Sequence, residues 1–166
     1  MKINWPWSKP KDNWWTLIIS VLAAQLAGAI GSFFTFSAIS SWYMFLNKPF
    51  FSPPNWVFGP VWTTLYTFMG ISAYLVWRKF QFSKKSLPFW RVYSIQLVLN
   101  MFWSIIFFGL QNPLVAFIEI IILWYFIFRT IQEAIKIDSR TAYLLYPYLA
   151  WVSFASLLNF SIAILN

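Results

Sequence analysis

WWTLIISVLAAQLAGAIGSFFTF, residues 14–36, runs its whole length without a charged side chain. A helix needs roughly 20 apolar residues to cross the hydrocarbon of a bilayer, within a range of about 17 to 25. This run meets that length, and it is apolar throughout rather than on one face. Four more runs follow, at residues 57–77, 89–109, 113–131 and 142–165. The expected fold is an all-α integral membrane protein, a five-transmembrane-helix bundle forming a single domain over residues 1–166. Helices pair every backbone group within the segment, which lipid requires. A β-barrel would show short alternating segments instead. Basic residues precede the first run as they precede a signal peptide, but the run is too long for a signal core, so it is expected to stay as a span. Within it, Ser20, Ala24, Gly28 and Ser32 recur every fourth position, with Ala23, Ala27 and Gly31 beside them. Such a stripe lets backbones approach closely, either against a helix of the same chain or as the seam of a homodimer.

Composition agrees with a lipid-solvated chain. Hydrophobic residues make up 60% of the sequence and charged ones 10%, with a mean hydropathy of +0.64. A soluble domain carries about 25% charge. With no cysteine and no histidine, the chain lacks the usual ligands of zinc, iron–sulfur clusters and haem, and no metal site is expected. The acids Asp12, Glu119, Glu133 and Asp138 are too scattered for a paired-carboxylate hydrolase. The net charge of +8 is distributed by topology. Five spans place the N-terminal tail with the second and fourth loops. That side holds Lys2, Lys9, Lys11, Arg78, Lys79, Lys84, Lys85, Arg91, Arg129, Lys136 and Arg140, whereas the other holds Lys48 alone. The bias predicts a cytoplasmic N-terminus, in a bacterial cytoplasmic membrane. The Arg78-Lys79 and Lys84-Lys85 clusters are expected to touch anionic lipid headgroups, and no nucleic acid partner is expected.

Polar and aromatic residues mark where function would sit. The loop at residues 37–56, SAISSWYMFLNKPFFSPPNW, faces away from the cytoplasm and carries Pro49, Pro53 and Pro54. Proline fixes φ, so the loop is stiff; it reads either as a lid over the bundle mouth or as an aromatic anchor at headgroup level. Of twelve tryptophans, Trp5, Trp7, Trp14 and Trp15 flank the first span as belt residues, while Trp62, Trp103, Trp124 and Trp151 lie within spans. Trp62 and Tyr66 share a helix face, and Asn100 lies three residues before Trp103 and four before Ser104. Together they read either as an aromatic cavity for a flat apolar ligand or as a solid aromatic core. Glu119, the carboxylate set within a span, reads as a proton relay or as a side chain snorkelling to water.

The stretch WYMFLNKPFFSPPNWVFGPVWTTLYTFMG, residues 42–70, resembles the tryptophan-rich sensory protein/translocator protein family, TspO/MBR. QLVLNMFWSIIFFG at residues 96–109 and PYLAWVSFASLLN at residues 147–159 carry the same resemblance over nearly all the chain after the first span. It implies a five-helix bundle whose ligand pocket is closed by the first loop. It further implies binding of porphyrins such as protoporphyrin IX, of haem and of related flat hydrophobic molecules, as a receptor or sensor. Light-dependent oxidative degradation of protoporphyrin IX is reported for some bacterial members, and transport of porphyrins or other amphipathic cargo is the alternative reading. The implied ligand-binding residues are Tyr43, Pro53, Trp62, Tyr66, Asn100, Trp103, Trp151 and Ala155. Tyr43 and Asn100 would hydrogen-bond, Trp62 and Trp151 would form stacking walls and serve the photochemistry, and Ala155 would pack closely. No cofactor is required; porphyrin is the ligand, with membrane lipids as further partners. The end of the chain, NFSIAILN, departs from the animal sterol-binding motif, so sterol binding there is not expected.

Overall fold

A computed structural model describes residues 13–166 of the chain. Lys2, Trp5, Trp7, Lys9, Lys11 and Asp12 lie outside the described residues. The described chain is helical: α1 (Trp14–Ile39), α2 (Trp42–Phe45), α3 (Asn55–Phe80), α4 (Leu87–Ser104), α5 (Pro113–Ile137), α6 (Ser139–Tyr143) and α7 (Tyr146–Leu165). A single π-helical stretch, Ile105–Gly109, continues α4. Asn13 caps α1 by accepting from the Trp15 amide at 3.1 Å, and Asn112 caps α5 by accepting from the Val115 amide at 3.0 Å. Each bond satisfies one of the orphan donors at a helix start.

Among the described residues, four segments are long and apolar enough to cross a membrane: Trp14–Ile39, Leu87–Gly109, Pro113–Ile137 and Ser139–Leu165. The expected span at residues 57–77 lies within α3, which matches α1 in length at 26 residues but is less apolar. Its hydroxyls account for part of the difference, and they turn back on their own helix. Thr63, Thr64 and Thr67 donate to the carbonyls of Gly59, Pro60 and Thr63 at 2.9, 2.9 and 2.8 Å. The expected span at 142–165 lies within Ser139–Leu165, with a short interruption near its start, where α6 ends at Tyr143 and α7 begins at Tyr146. Asp138 caps α6 through the Arg140 amide at 3.0 Å, and Pro147 in the first turn of α7 has no N–H to continue the preceding helix.

The core lies among α3, α4, α5 and α7, with Met69, Phe89, Leu123 and Tyr148 almost fully buried. Helix α1 packs against α3 and α4 through its small residues. Ala24, Ala27 and Gly31 are buried. A methyl on Gly70 would stand 2.5 Å from the Val21 Cα, so α3 touches the α1 backbone there. Part of the small-residue stripe is therefore occupied within the chain, while Ala23 stays exposed.

Candidate functional site

Between α1, α3, α4 and α7, beneath the first loop, the bundle leaves a cavity of about 600 Å³. One wall is α3, where Trp62 and Tyr66 lie one turn apart with ring centroids 5.7 Å from each other. The Tyr66 hydroxyl donates to the Asn100 side-chain carbonyl, and Asn100 in turn donates through Nδ2 to the Tyr148 hydroxyl at 2.7 Å. Asn100 is 3% exposed, so this chain of bonds discharges a polar group that lipid or protein would otherwise penalise. Gly28 makes the arrangement fit, because a Cβ there would collide with the Tyr66 ring.

The π-helical stretch shapes the second wall. The extra residue it inserts places Phe107 and Phe108 in succession along the cavity, with the Phe107 ring stacked on Trp103 at 5.2 Å. Trp103 Nε1 donates to Asn159 Oδ1 at 3.0 Å, and Asn159 Nδ2 donates to the Pro113 carbonyl at 2.7 Å, tying α4, α7 and the start of α5. From α7 come Ala155 and Trp151, whose ring meets Phe58 edge-on at 6.0 Å. The Trp151 Nε1 is buried and has no hydrogen-bond partner.

The loop seals one end. Tyr43, on α2, is 4% exposed and lines the cavity, with the Lys48 ammonium 4.6 Å above its ring. Asn47 is clasped to the end of α7. Its amide donates to Asn166 Oδ1 at 2.9 Å and its side chain to the Leu165 carbonyl at 3.3 Å, while Asn166 donates back to the Asn47 carbonyl at 3.1 Å.

Seven of the residues expected at a ligand site thus line one cavity: Tyr43, Trp62, Tyr66, Asn100, Trp103, Trp151 and Ala155. Pro53 does not. It stands with Pro54 in the extended lead into α3, where two fixed φ angles direct Asn55 and Trp56 to the rim instead. Trp124 also stays outside, donating to the Ser153 hydroxyl at 2.7 Å between α5 and α7. Glu119 is 8% exposed and both its oxygens lack partners, so it does not snorkel to the surface. The α1 face, with Gln25, Gly28 and Ser32, was not expected at the site. The stripe Gly28–Ser32 was legible in sequence as packing, and small residues carry no sign of which side of a contact is hollow.

The model of the TspO/MBR family matches residues 20–165. The chain belongs to the TspO/MBR family. It is similar to the Tryptophan-rich protein TspO of Archaeoglobus fulgidus, 45% identical over 156 residues that cover 90% of this chain and 96% of the other. It is also similar to the Translocator protein of Homo sapiens, 38% identical over 142 residues and covering 85% and 84% of the two chains. The Tryptophan-rich sensory protein of Cereibacter sphaeroides is 34% identical over 152 residues, 92% of each. Membership in the TspO/MBR family and the run of apolar helices together make this a multi-pass membrane protein.

Proposed function

We propose that this protein is a membrane receptor or sensor that takes protoporphyrin IX, haem and related flat hydrophobic molecules into the cavity beneath its first loop. The observation that carries the reading is the cavity itself. Its volume falls within the roughly 300 to 1,000 Å³ typical of small-molecule sites, and its lining is aromatic with a few fixed polar groups. Trp62 and Trp151 offer indole faces for stacking on a tetrapyrrole. The Tyr43 hydroxyl, which lines the cavity, is the group that would hydrogen-bond its carboxylates or ring nitrogens. Pro53 contributes by stiffening the loop and not by contact. With neither histidine nor cysteine in the chain, a free-base porphyrin suits the residues better than an iron-ligated one. Light-dependent oxidative loss of bound protoporphyrin IX, with Trp62 and Trp151 beside the excited ring and dioxygen as oxidant, is the extension of the same reading.

In this proposal α3 is the fifth crossing and the N-terminus faces the cytoplasm of a bacterial cell. The support is that α3 has the length of α1, lies beside it, and keeps its threonine hydroxyls bonded to its own backbone, which lipid tolerates.

Titration of protoporphyrin IX into the detergent-solubilised protein, in the dark and then under light, tests the function. Saturable quenching of tryptophan fluorescence that a Trp62→Phe, Trp151→Phe variant weakens is the expected result. Light-driven bleaching confined to the wild type would add turnover. Absence of saturable binding would sink the tetrapyrrole reading. Flux of porphyrin into sealed vesicles holding the protein would instead favour transport.

A further inference from the structure

Among the described residues, the cavity beneath the first loop is not walled on every side. Ala29 and Phe36 of α1 and Trp56, Gly59 and Thr63 of α3 line it, yet each is also exposed. Phe36 and Trp56 keep 76% and 75% of their surface free, far more than side chains turned wholly inward would. We propose that these five residues edge a slit between α1 and α3, through which the ligand of the cavity enters sideways from the hydrocarbon of the membrane.

The two edges are regular. Residues 29 and 36 lie seven apart on α1, and residues 56, 59 and 63 are spaced by three and four on α3, so each set shares one helix face. Seven helical residues rise about 10 Å, which sets the length of the slit. One end is shut by Gln25, whose Nε2 crosses from α1 to the Thr63 carbonyl at 2.9 Å and to the Thr67 hydroxyl at 3.0 Å. Beyond that bridge Gly70 brings α3 onto the Val21 backbone. The first loop bounds the other end. The glycines mark where the helices part. A Cβ on Gly28, Gly31, Gly70 or Gly109 would meet an atom at 3.0 Å or less, whereas one on Gly59 would meet nothing within 4 Å. Four glycines are there to let neighbours approach, and Gly59 borders open space.

The slit faces lipid. Leu26, Ile30 and Phe33 are exposed on α1 beside it, and α1 is long and apolar enough to span the bilayer. A molecule dissolved in the membrane reaches this opening without passing through water. Entry under the loop would instead have to break the clasp between Asn47 and Asn166 and displace Tyr43, which is 4% exposed. A flat ring entering edge-on, its plane along the helices, meets Trp62 one turn behind the edge. The identity of that ring and the crossing of α3 rest on the receptor reading above, while the opening itself can be read without porphyrin.

For this, the full-length protein is reconstituted in vesicles of a phosphatidylcholine carrying a diazirine on one acyl chain, irradiated, and mapped by mass spectrometry. The headgroup keeps such a lipid in the bilayer, so its chain reaches the cavity only through an opening to the hydrocarbon. Adducts on Tyr66 and Phe107, buried residues of the cavity walls, are expected in the wild type. Gly59→Phe places a ring in open space and replaces a poor helix former, so the fold should hold while the adducts disappear. With protoporphyrin IX as the probe, Gly59→Phe should slow association about tenfold and slow release with it, whereas damage to a binding wall would speed release. Asn47→Cys with Asn166→Cys, oxidised to lock the loop, should leave the association rate as it was. Labelled cavity walls without saturable porphyrin binding would remove the tetrapyrrole reading and keep the slit. Unlabelled walls in the wild type, labelling that Gly59→Phe leaves unchanged, or association abolished by the locked loop would each overturn it.

Discussion

Gly28 has a hydrogen where any other residue would place a carbon in the Tyr66 ring. Gly28→Ala must therefore push Tyr66 from its place, and with it the bond to Asn100. An unpaired buried amide costs about 1–3 kcal/mol. The expected result is a lower thermal midpoint together with weaker porphyrin quenching, whereas Ala29→Gly, one residue on and also lining the cavity, should change neither by as much. Trp103 shows the same logic with less crowding. Trp103→Phe keeps the ring beside Phe107 but leaves Asn159 Oδ1 without its donor, a loss of about 1–3 kcal/mol readable as a drop in the unfolding midpoint. Asp138 brings pH into play. The Arg140 hydrogen bond, aided by the charge of Lys79, holds its carboxyl down to about 2. Its unfolded value is near 3.9, so the stabilisation is complete above about pH 4 and lost as the pH falls toward 2. Unfolding midpoints in detergent should fall across that window in the wild type. Arg140→Gln should shift the fall to higher pH, and an unchanged profile would remove the pairing from the account.

At the scale of an element, α1 and the first loop decide how the cavity is closed. Gly70→Ala inserts a methyl 2.5 Å from the Val21 Cα, and backbone cannot yield as a side-chain tip can. Helices α1 and α3 must separate, which opens the cavity between them. Overpacking of this kind costs about 1–3 kcal/mol. The loop is held by the clasp of Asn47 to Asn166. Asn166→Ala removes bonds in both directions yet leaves every cavity residue intact, so it should speed porphyrin release several-fold at a nearly unchanged association rate, as most affinity changes do. Stopped-flow dissociation reads this directly, and an unaltered release rate would show that the clasp does not govern the loop. The helices themselves were legible because an uninterrupted apolar run has one reading in lipid. Their breaks were less so. The junction at Leu144-Leu145 is as apolar as the helices around it, and of its neighbours Pro147 alone signals a restart. The π-helical stretch at Ile105–Gly109 has no sequence signature at all, since one extra residue in a helix leaves the composition unchanged. Of the site, the aromatic and amide residues were legible by type, but the contribution of α1 depends on how closely two backbones approach.

For the whole molecule the open quantity is how often the chain crosses, and the charges make it testable. The eight cations from Arg78 to Arg140 lie at the end of the bundle where α3 stops and α4 starts, while Lys48 sits at the other end beside Tyr43. If α3 crosses, the first loop before it and the loop after it must lie on opposite sides of the membrane. If α3 does not cross, the charge separation along the bundle axis has no counterpart in topology, and the positive-inside bias loses its meaning. The sequence has no cysteine, so single thiols can be placed without background. Phe50 is fully exposed in the first loop, and Lys84 and Gln111 are exposed in the loops at the two ends of α4. Lys84→Cys should react with an impermeant maleimide only after the cytoplasmic face is opened. Phe50→Cys and Gln111→Cys should react in intact cells. Labelling of Lys84→Cys and Phe50→Cys from one side would take α3 out of the membrane. The cavity wall formed by Trp62 and Tyr66 would then face an aqueous compartment, and a lipid-dissolved porphyrin would lose its route to them.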